Sequence, residues 1–316
     1  MKEQFIEDLK EGMEVDSKFS VKYKKPLREY KKGYMFVLGL ADRTDEIEAK
    51  FWGGSDREKV QELLDSISPG DVVRIRGKAS VFQNNLQINV EEGNLKMTED
   101  YEIEDFVGSS KRDVEEILEE VRGKFEDLEN DHLKRLMEDL LEDEDFVGRL
   151  KRTPAAMYYH HAYLGGLLKH TLDMIELAET LQERHPELDL DLLKVGCFVH
   201  DIGKIEEFKV TTNIKQSRAG LLTGHIPLGQ EILSKRIEQT EGFPEDLKHK
   251  LLHIISSHHG EKENGAVKEP MFPEALAVHY LDEIDSQVVQ MIDVKEDANT
   301  EDFHTWDKRF GQVYLE

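Results

Sequence analysis

Residues 191–208, DLLKVGCFVHDIGKIEEF, repeat apolar side chains at helical spacing up to an adjacent His200 and Asp201, followed by Gly203 and Lys204. Neighbours on a helix point about 100° apart. This pair can therefore offer an imidazole nitrogen to one cation and a carboxylate that spans two. Cys197, one turn earlier, reads as a small core residue. Four other apolar-periodic segments carry similar groups: His170 in LLKHTLDMI, His225 in GHIPLG, His258 and His259 in SSHHG, and Asp282 in HYLDEID. Ionisable groups set among core-facing residues need a reason to be there. Of the 13 histidines, all but His132 and His304 lie between His160 and His279. Imidazoles and carboxylates together are the usual ligands of catalytic divalent metals.

From Asp113 onward almost every segment has the 3.6-residue period, which predicts an all-α domain over residues 113–295. Ahead of it, VDSKFSVKYKK, GYMFVLGLAD, EIEAKFWGG, DVVRIRGKASVF and NLQINVEE read as strands. Gly33, the Arg43-Thr44-Asp45 corner, Pro69-Gly70 and Asn84-Asn85 supply turn signals between them. DREKVQELLDSI interrupts the strands with one short amphipathic helix. Three strands, a helix and two strands is the order of a five-stranded OB barrel, placed at residues 1–94. Residues 95–112 read as a linker and 296–316 as a polar, loosely held tail. The fold class expected is multidomain: an N-terminal all-β OB-fold barrel followed by an all-α helical bundle.

Bulk composition sets limits. The chain of 316 residues is 38% hydrophobic and 34% charged, with one cysteine, so no internal disulfide forms and a reducing compartment is expected. MKEQFIEDLK lacks the basic and apolar regions of a signal peptide, and no apolar run nears the roughly 20 residues that cross a bilayer. A cytoplasmic protein without a membrane partner is the expectation. The net charge of −25 argues against indiscriminate binding to polyanions.

Against that background, Lys18, Lys22, Lys24, Lys25, Arg28, Lys31 and Lys32 face a single acid, Glu29, within residues 18–32. Tyr23, Tyr30 and Tyr34 interleave with them, and Trp52 follows on a later strand. Cations for phosphates beside rings for bases are what a single strand of RNA or DNA requires. Lys22, Lys24, Lys25, Arg28, Tyr34 and Trp52 are the expected contacts. Arg74, Arg76 and Lys78, alternating on a strand, could extend the surface. The competing reading leaves the rings in the barrel core and the lysines solvated.

The ordered set H…HD…H…H(H)…D with Lys204 in HDIGK resembles the HD-domain superfamily of metal-dependent phosphohydrolases over residues 150–290. With the barrel in front, and with HHAYLGGLLKHTLDM, FVHDIGK, LTGHI and ISSHHG, the chain resembles the YhaM family of 3′→5′ exoribonucleases. The resemblance implies that His170, His200, Asp201 and Asp282 bind one metal, and that His225 and His258 hold a second bridged by Asp201. His259 rivals His258, and Asp285 rivals Asp282. It also implies a homo-oligomer. Asp201 and Lys204 are the expected catalytic pair, with Lys204 also on a substrate phosphate oxygen. Two divalent transition metals are expected, Mn²⁺ first, with Co²⁺, Fe²⁺, Ni²⁺ and Zn²⁺ as alternatives to oxygen-preferring Mg²⁺. His160 and His161, placed at the start of the His170 helix some 14 Å from that residue, are expected either to meet substrate at the mouth of the site or to serve the helix start.

The function expected is a metal-dependent 3′→5′ exoribonuclease, with single-stranded DNA as a further substrate and the barrel guiding the strand. The alternative is a nucleotide or cyclic-dinucleotide phosphohydrolase using the barrel for docking. A non-catalytic nucleic-acid-binding protein and an oxygenase on the same scaffold are lesser readings.

Overall fold

The computed structural model describes residues 2, 4–83, 85–108, 110, 112–157, 161–298, 300 and 302–316; Asn84 and His160, both used above, lie outside them. The chain divides into two compact units, Met1–Gly108 with Val210–Ile214, and Ser109–Lys209 with Lys215–Glu316.

The first unit is a closed barrel. Strand β1 (Glu14–Lys24) pairs antiparallel with both β3 (Gly33–Ala41) and β5 (Val72–Phe82), so the sheet has no free long edge there. Strand β4 (Glu46–Trp52) joins β3 antiparallel and β6 (Asn85–Glu91) parallel, and β6 returns antiparallel to β5. Three-residue β2 (Arg28–Tyr30) extends β3. The period-two pattern is plainest in β4, where Ile47, Ala49 and Phe51 are buried and the alternate positions face outward. Phe36 stacks on Phe51 with ring centroids 4.7 Å apart. Helix α1 (Arg57–Ser66) falls between β4 and β5, starting at Asp56, whose side chain accepts from the Lys59 amide. The order expected from the sequence is the order observed.

The linker does not begin where the sequence suggested. Leu95–Met97 form strand β7 against β5, with Leu95 in the barrel core, and Phe106 and Val107 are buried. These short apolar groups are embedded in acidic residues that hide them from a windowed reading.

In the second unit α2 (Val114–Glu126), α3 (Asp131–Glu142), α4 (Glu144–Leu150) and α5 (Gly166–Arg184) lead to α6 (Leu190–Val199). Helix α6 is buried from Leu192 through Val199, as the near-continuous apolar run requires. Then come α7 (Lys204–Glu207), α8 (Arg218–Thr223), α9 (His225–Gln239), α10 (Glu245–Ser257) and the long α11 (Pro273–Glu296). Leu168, Leu193, Val195, Ile254 and Val278, from four of these helices, share one core. Two hairpins complete the chain: β8 (Phe208–Val210) with β9 (Ile214–Gln216), whose turn Val210–Ile214 groups with the first unit, and β10 (His304–Asp307) with β11 (Gly311–Tyr314). The second hairpin replaces the loose tail expected after residue 295. Trp306 and Val313 lie on its two strands, too brief an alternation to stand out in a polar segment.

Candidate metal centre

Asp201 sits two residues past the C-terminal end of α6, 2% exposed, and the other groups gather around it. Its two oxygens face different partners. Oδ2 lies 3.3 Å from His200 Nε2, while Oδ1 lies 3.5 Å from His225 Nε2 and 3.6 Å from His258 Nε2. His170 Nε2 is 3.3 Å from His200 Nε2 and 3.3 Å from Asp282 Oδ1. Ring centroids of successive pairs, His170–His200, His200–His258 and His225–His258, are 5.3, 5.2 and 5.6 Å apart. The segments that sequence alone singled out thus meet in one pocket.

Each imidazole is held from behind. His200 Nδ1 donates to the Cys197 carbonyl at 2.8 Å, and His258 Nδ1 to the Ile255 carbonyl at 2.9 Å. His170 Nδ1 is 2.6 Å from Asp285 Oδ2, and His225 Nδ1 is 3.3 Å from Glu207 Oε2. With Nδ1 facing an acceptor, the neutral tautomer of His200, His225 and His258 directs the Nε2 lone pair toward Asp201. An oxygen acceptor behind a ligating imidazole is the usual support of a metal site.

Asp201 Oδ1, His225 Nε2, His258 Nε2 and His259 Nδ1 are buried and have no hydrogen-bond partner among the described residues. Leaving such an atom unsatisfied costs on the order of 1–3 kcal/mol, so four together call for a cation. Ligand atoms of His170, His200 and Asp201 lie within 4.8 Å of one another, as do those of His225, His258 and His259. The imidazole and carboxylate donors of these groups fit divalent metal. His258 and His259 both belong to the second group, their rings 4.2 Å apart.

The charges are tightly balanced. Burial opposes ionisation of Asp201, but Lys204, His200 and His225 outweigh it and hold the carboxyl well below the usual carboxylate range. Lys204 Nζ approaches Asp201 Oδ2 to 2.5 Å. Burial works against its ammonium too, yet Asp201, Asp282 and Glu207 keep it above the ordinary lysine range. For His170, burial is overcome by Asp282 and Asp285, which push its pKa up to about 10. His258 goes the other way, its charged form disfavoured chiefly by burial. Burial pushes the Cys197 thiol up, and its sulfur turns toward the Met174 carbonyl; only its backbone serves the site.

Gly203 explains part of the local sequence. A Cβ there would overlap the His225 carbonyl oxygen and crowd the Gly229 amide. The turn after Asp201 can therefore lie directly against the start of α9, which brings His225 to Asp201.

One expectation needs correction. His161 is not at the mouth of the site: it is 7% exposed, with its ring centroid 6.0 Å from that of His170. The His170 helix starts only at Gly166, and the preceding chain doubles back instead of continuing the helix. Gly165 has φ +77° and His161 itself +53°, and a Cβ on Gly166 would overlap the His161 carbonyl. His161 Nε2 comes 3.4 Å from Asp285 Oδ2 and its Nδ1 lies 2.8 Å from the Tyr163 hydroxyl. Asp285 is therefore flanked by His161 and His170 on the Nδ1 side of His170, whereas Asp282 faces Nε2.

On the barrel the basic strip divides. Lys24 Nζ donates to the Leu64 and Ile67 carbonyls at 2.8 and 2.6 Å, closing the end of α1. Lys22 pairs with Glu46 at 3.2 Å and Lys25 with Glu48. Tyr34 packs against the barrel core, and Arg28 is exposed. The expectation that Lys24 and Tyr34 offer themselves to a ligand is corrected: helix carbonyls and the core take them first. Trp52 is the one expected ring that lines a groove, in company with Tyr30, Lys31, Lys32, Arg76 and Lys78, and the cavity measures ≈ 1050 Å³. Tyr30 meets Trp52 edge-on at 4.9 Å, and Trp52 Nε1 donates to Asn89 Oδ1 at 2.9 Å.

Comparison with known proteins matches residues 167–287 to the HD domain and residues 20–95 to an OB-fold nucleic acid binding domain. The chain is similar to the 3′-5′ exoribonuclease YhaM of Bacillus velezensis, 30% identical over 283 residues covering 89% of this chain and 87% of that protein. The YhaM proteins of Bacillus subtilis and Shouchella clausii are 30% and 31% identical, over 81% of this chain and 79% and 78% of theirs.

Proposed function

Because the chain belongs to the YhaM family of 3′-5′ exoribonucleases, we propose that it is a metal-dependent hydrolase that shortens single-stranded RNA from the 3′ end. The observation that carries this is the Asp201 carboxylate, one oxygen toward His200 and the other toward His225 and His258, in a pocket where four polar atoms have no partner within the described residues.

His170, His200, Asp201 and Asp282 would hold one cation, and His225 and His258, aided by His259, a second across Asp201. Bound there, divalent ions would supply the acidity that activates a water and the positive charge that meets the phosphodiester. The residues do the rest. Oxygens behind each imidazole fix the tautomer that faces the pocket. Lys204 keeps its proton and brings a positive charge to the lip of Asp201, positioned to receive a non-bridging phosphate oxygen. We assign it charge stabilisation, because its Nζ lies 2.5 Å from Asp201 Oδ2.

The nitrogen-rich donor set supports a transition metal, Mn²⁺ first among them, over Mg²⁺. The barrel groove with Trp52, Tyr30, Lys31 and Lys32 supports a strand-guiding role, with bases stacked on the rings, and single-stranded DNA fits the same groove chemically. The single, buried cysteine suits a cytoplasmic setting. A homo-oligomer is supported by α11, where Leu276, Tyr280, Ile284 and Val288 recur every four residues and are 46–57% exposed.

An end-labelled oligoribonucleotide tests the reading, with wild type and Asp201→Ala compared in Mn²⁺ and in chelator. Shortening from a free 3′ end, lost on a 3′-blocked strand, in chelator and in the variant, is expected. Turnover of free nucleotides with the oligonucleotide left intact would overturn it.

A further inference from the structure

The segment joining the two metal-site motifs has a charge pattern unlike the rest of the chain. Residues 208–230 hold Lys209, Lys215 and Arg218 and no acid, while 67 acidic residues in 316 would place about five in such a stretch. All three cations are exposed, and none makes an ion pair among the described residues. Most other basic side chains near the site are committed: Arg149 to Glu206, Lys151 to Glu115 and Lys204 to Asp201.

Their placement is costly for the fold alone. Lys209 and Lys215 are the central residues of β8 and β9, the two three-residue strands of one hairpin. Like charges on so small a ladder repel and weaken it. Nothing in the hairpin offsets that repulsion, so a polyanionic ligand is the natural counterpart.

The segment is also fastened to the metal centre. Ser217 N donates to the Glu207 carbonyl at 2.7 Å, and Ser217 Oγ donates to the Glu206 carbonyl at 2.7 Å. Gln216 Nε2 reaches Glu207 Oε1 at 3.4 Å, and the other oxygen of Glu207 lies 3.3 Å from His225 Nδ1. Arg218 is thus one residue from a clamp on the backbone carbonyls of Glu206 and Glu207, and the Glu207 side chain faces His225.

We propose that Lys209, Lys215 and Arg218 form a phosphate-binding ridge that holds the backbone of a single-stranded nucleic acid as its end enters the metal centre. This rests on the exonuclease reading for the identity of the ligand. The ridge binds phosphates and carries no base specificity.

The test uses the full chain with Lys209→Gln, Lys215→Gln and Arg218→Gln combined. Binding of a fluorescein-labelled single-stranded oligoribonucleotide is followed by anisotropy in an Asp201→Ala background, where no cleavage interferes, at several salt concentrations. Each contact to a single strand contributes about 0.7 to the slope of log affinity against log salt. Three lost contacts should flatten that slope by about 2 and weaken binding roughly tenfold to a hundredfold at 0.1 M salt. In the Asp201 protein, KM for the oligonucleotide should rise with kcat nearly kept, and hydrolysis of bis-p-nitrophenyl phosphate should be unchanged. Equal affinity and equal salt slope with and without the three substitutions would overturn the ridge, whatever the catalytic assay shows. Failure of the Asp201 protein to shorten RNA would overturn the exonuclease reading separately, because the anisotropy experiment does not depend on turnover.

Discussion

Replacing Asp285 by asparagine separates the two α11 carboxylates that face His170, Asp282 and Asp285. The native carboxylate is 2.6 Å from His170 Nδ1, with both side chains nearly sealed from water. Asparagine keeps the shape but removes the charge, so a charge-assisted hydrogen bond becomes a neutral one of roughly half the strength. Hydrogen bonds to charged groups contribute about 1.5–3 kcal/mol, and little solvent screening intervenes here. The loss should therefore fall near 0.8–1.5 kcal/mol, about 4- to 13-fold in metal affinity, toward the lower end of what removing a carboxylate behind a ligating imidazole usually costs. The assay is the initial rate of oligonucleotide shortening as Mn²⁺ is titrated. Asp285→Asn should raise the half-saturating Mn²⁺ concentration by that factor and approach the wild-type rate when Mn²⁺ is abundant. Asp282→Asn, which alters a group facing His170 Nε2 at 3.3 Å, should lose rate that Mn²⁺ does not restore. An unchanged Mn²⁺ requirement in Asp285→Asn, or the two variants behaving the opposite way round, would refute the assignment.

Three more outcomes follow from the same geometry. Gly203→Ala places a methyl into the His225 carbonyl; overpacking of this kind costs about 1–3 kcal/mol, so the thermal midpoint should drop and activity should fall with it, and a midpoint equal to wild type would contradict the close approach. Trp52→Ala removes a stacking surface worth about 1–3 kcal/mol per base, which should raise KM for single-stranded RNA roughly 5- to 150-fold while bis-p-nitrophenyl phosphate hydrolysis stays constant. Ile284→Glu with Val288→Glu charges the exposed row of α11 and should lower the mass measured by light scattering toward that of one chain; an unchanged mass would place the interface elsewhere.

Sequence reading went furthest where chemistry and periodicity coincide. His200 and Asp201 end a helix whose apolar run leaves no doubt about its burial, and β4 alternates cleanly enough to show its two faces. It faltered where a three-dimensional partner decides a residue's part. Asp282 and Asp285 are three apart and share one helix face, so only the position of His170 between them separates their environments. Helical extrapolation put His161 about 14 Å from His170, because the reversal at Gly165 and Gly166 depends on a left-handed backbone that spacing does not reveal. Lys22, Lys24 and Lys25 looked free on the chain, but β4 and the end of α1 supply their partners from 20 to 40 residues away. The hairpin lysines went unremarked for the converse reason: three cations over some ten residues are conspicuous only once the lack of acids and of ion pairs around them is seen together.

The proposal that Asp201 is shared by two cations is tested most directly by equilibrium dialysis of the metal-stripped chain against Mn²⁺, with bound metal counted per chain by atomic emission. The wild-type chain should take up two ions, and Asp201→Ala, which removes the oxygen facing each group of imidazoles, should retain neither tightly. Uptake of a single ion by the wild type, or of two by the variant, would contradict the account.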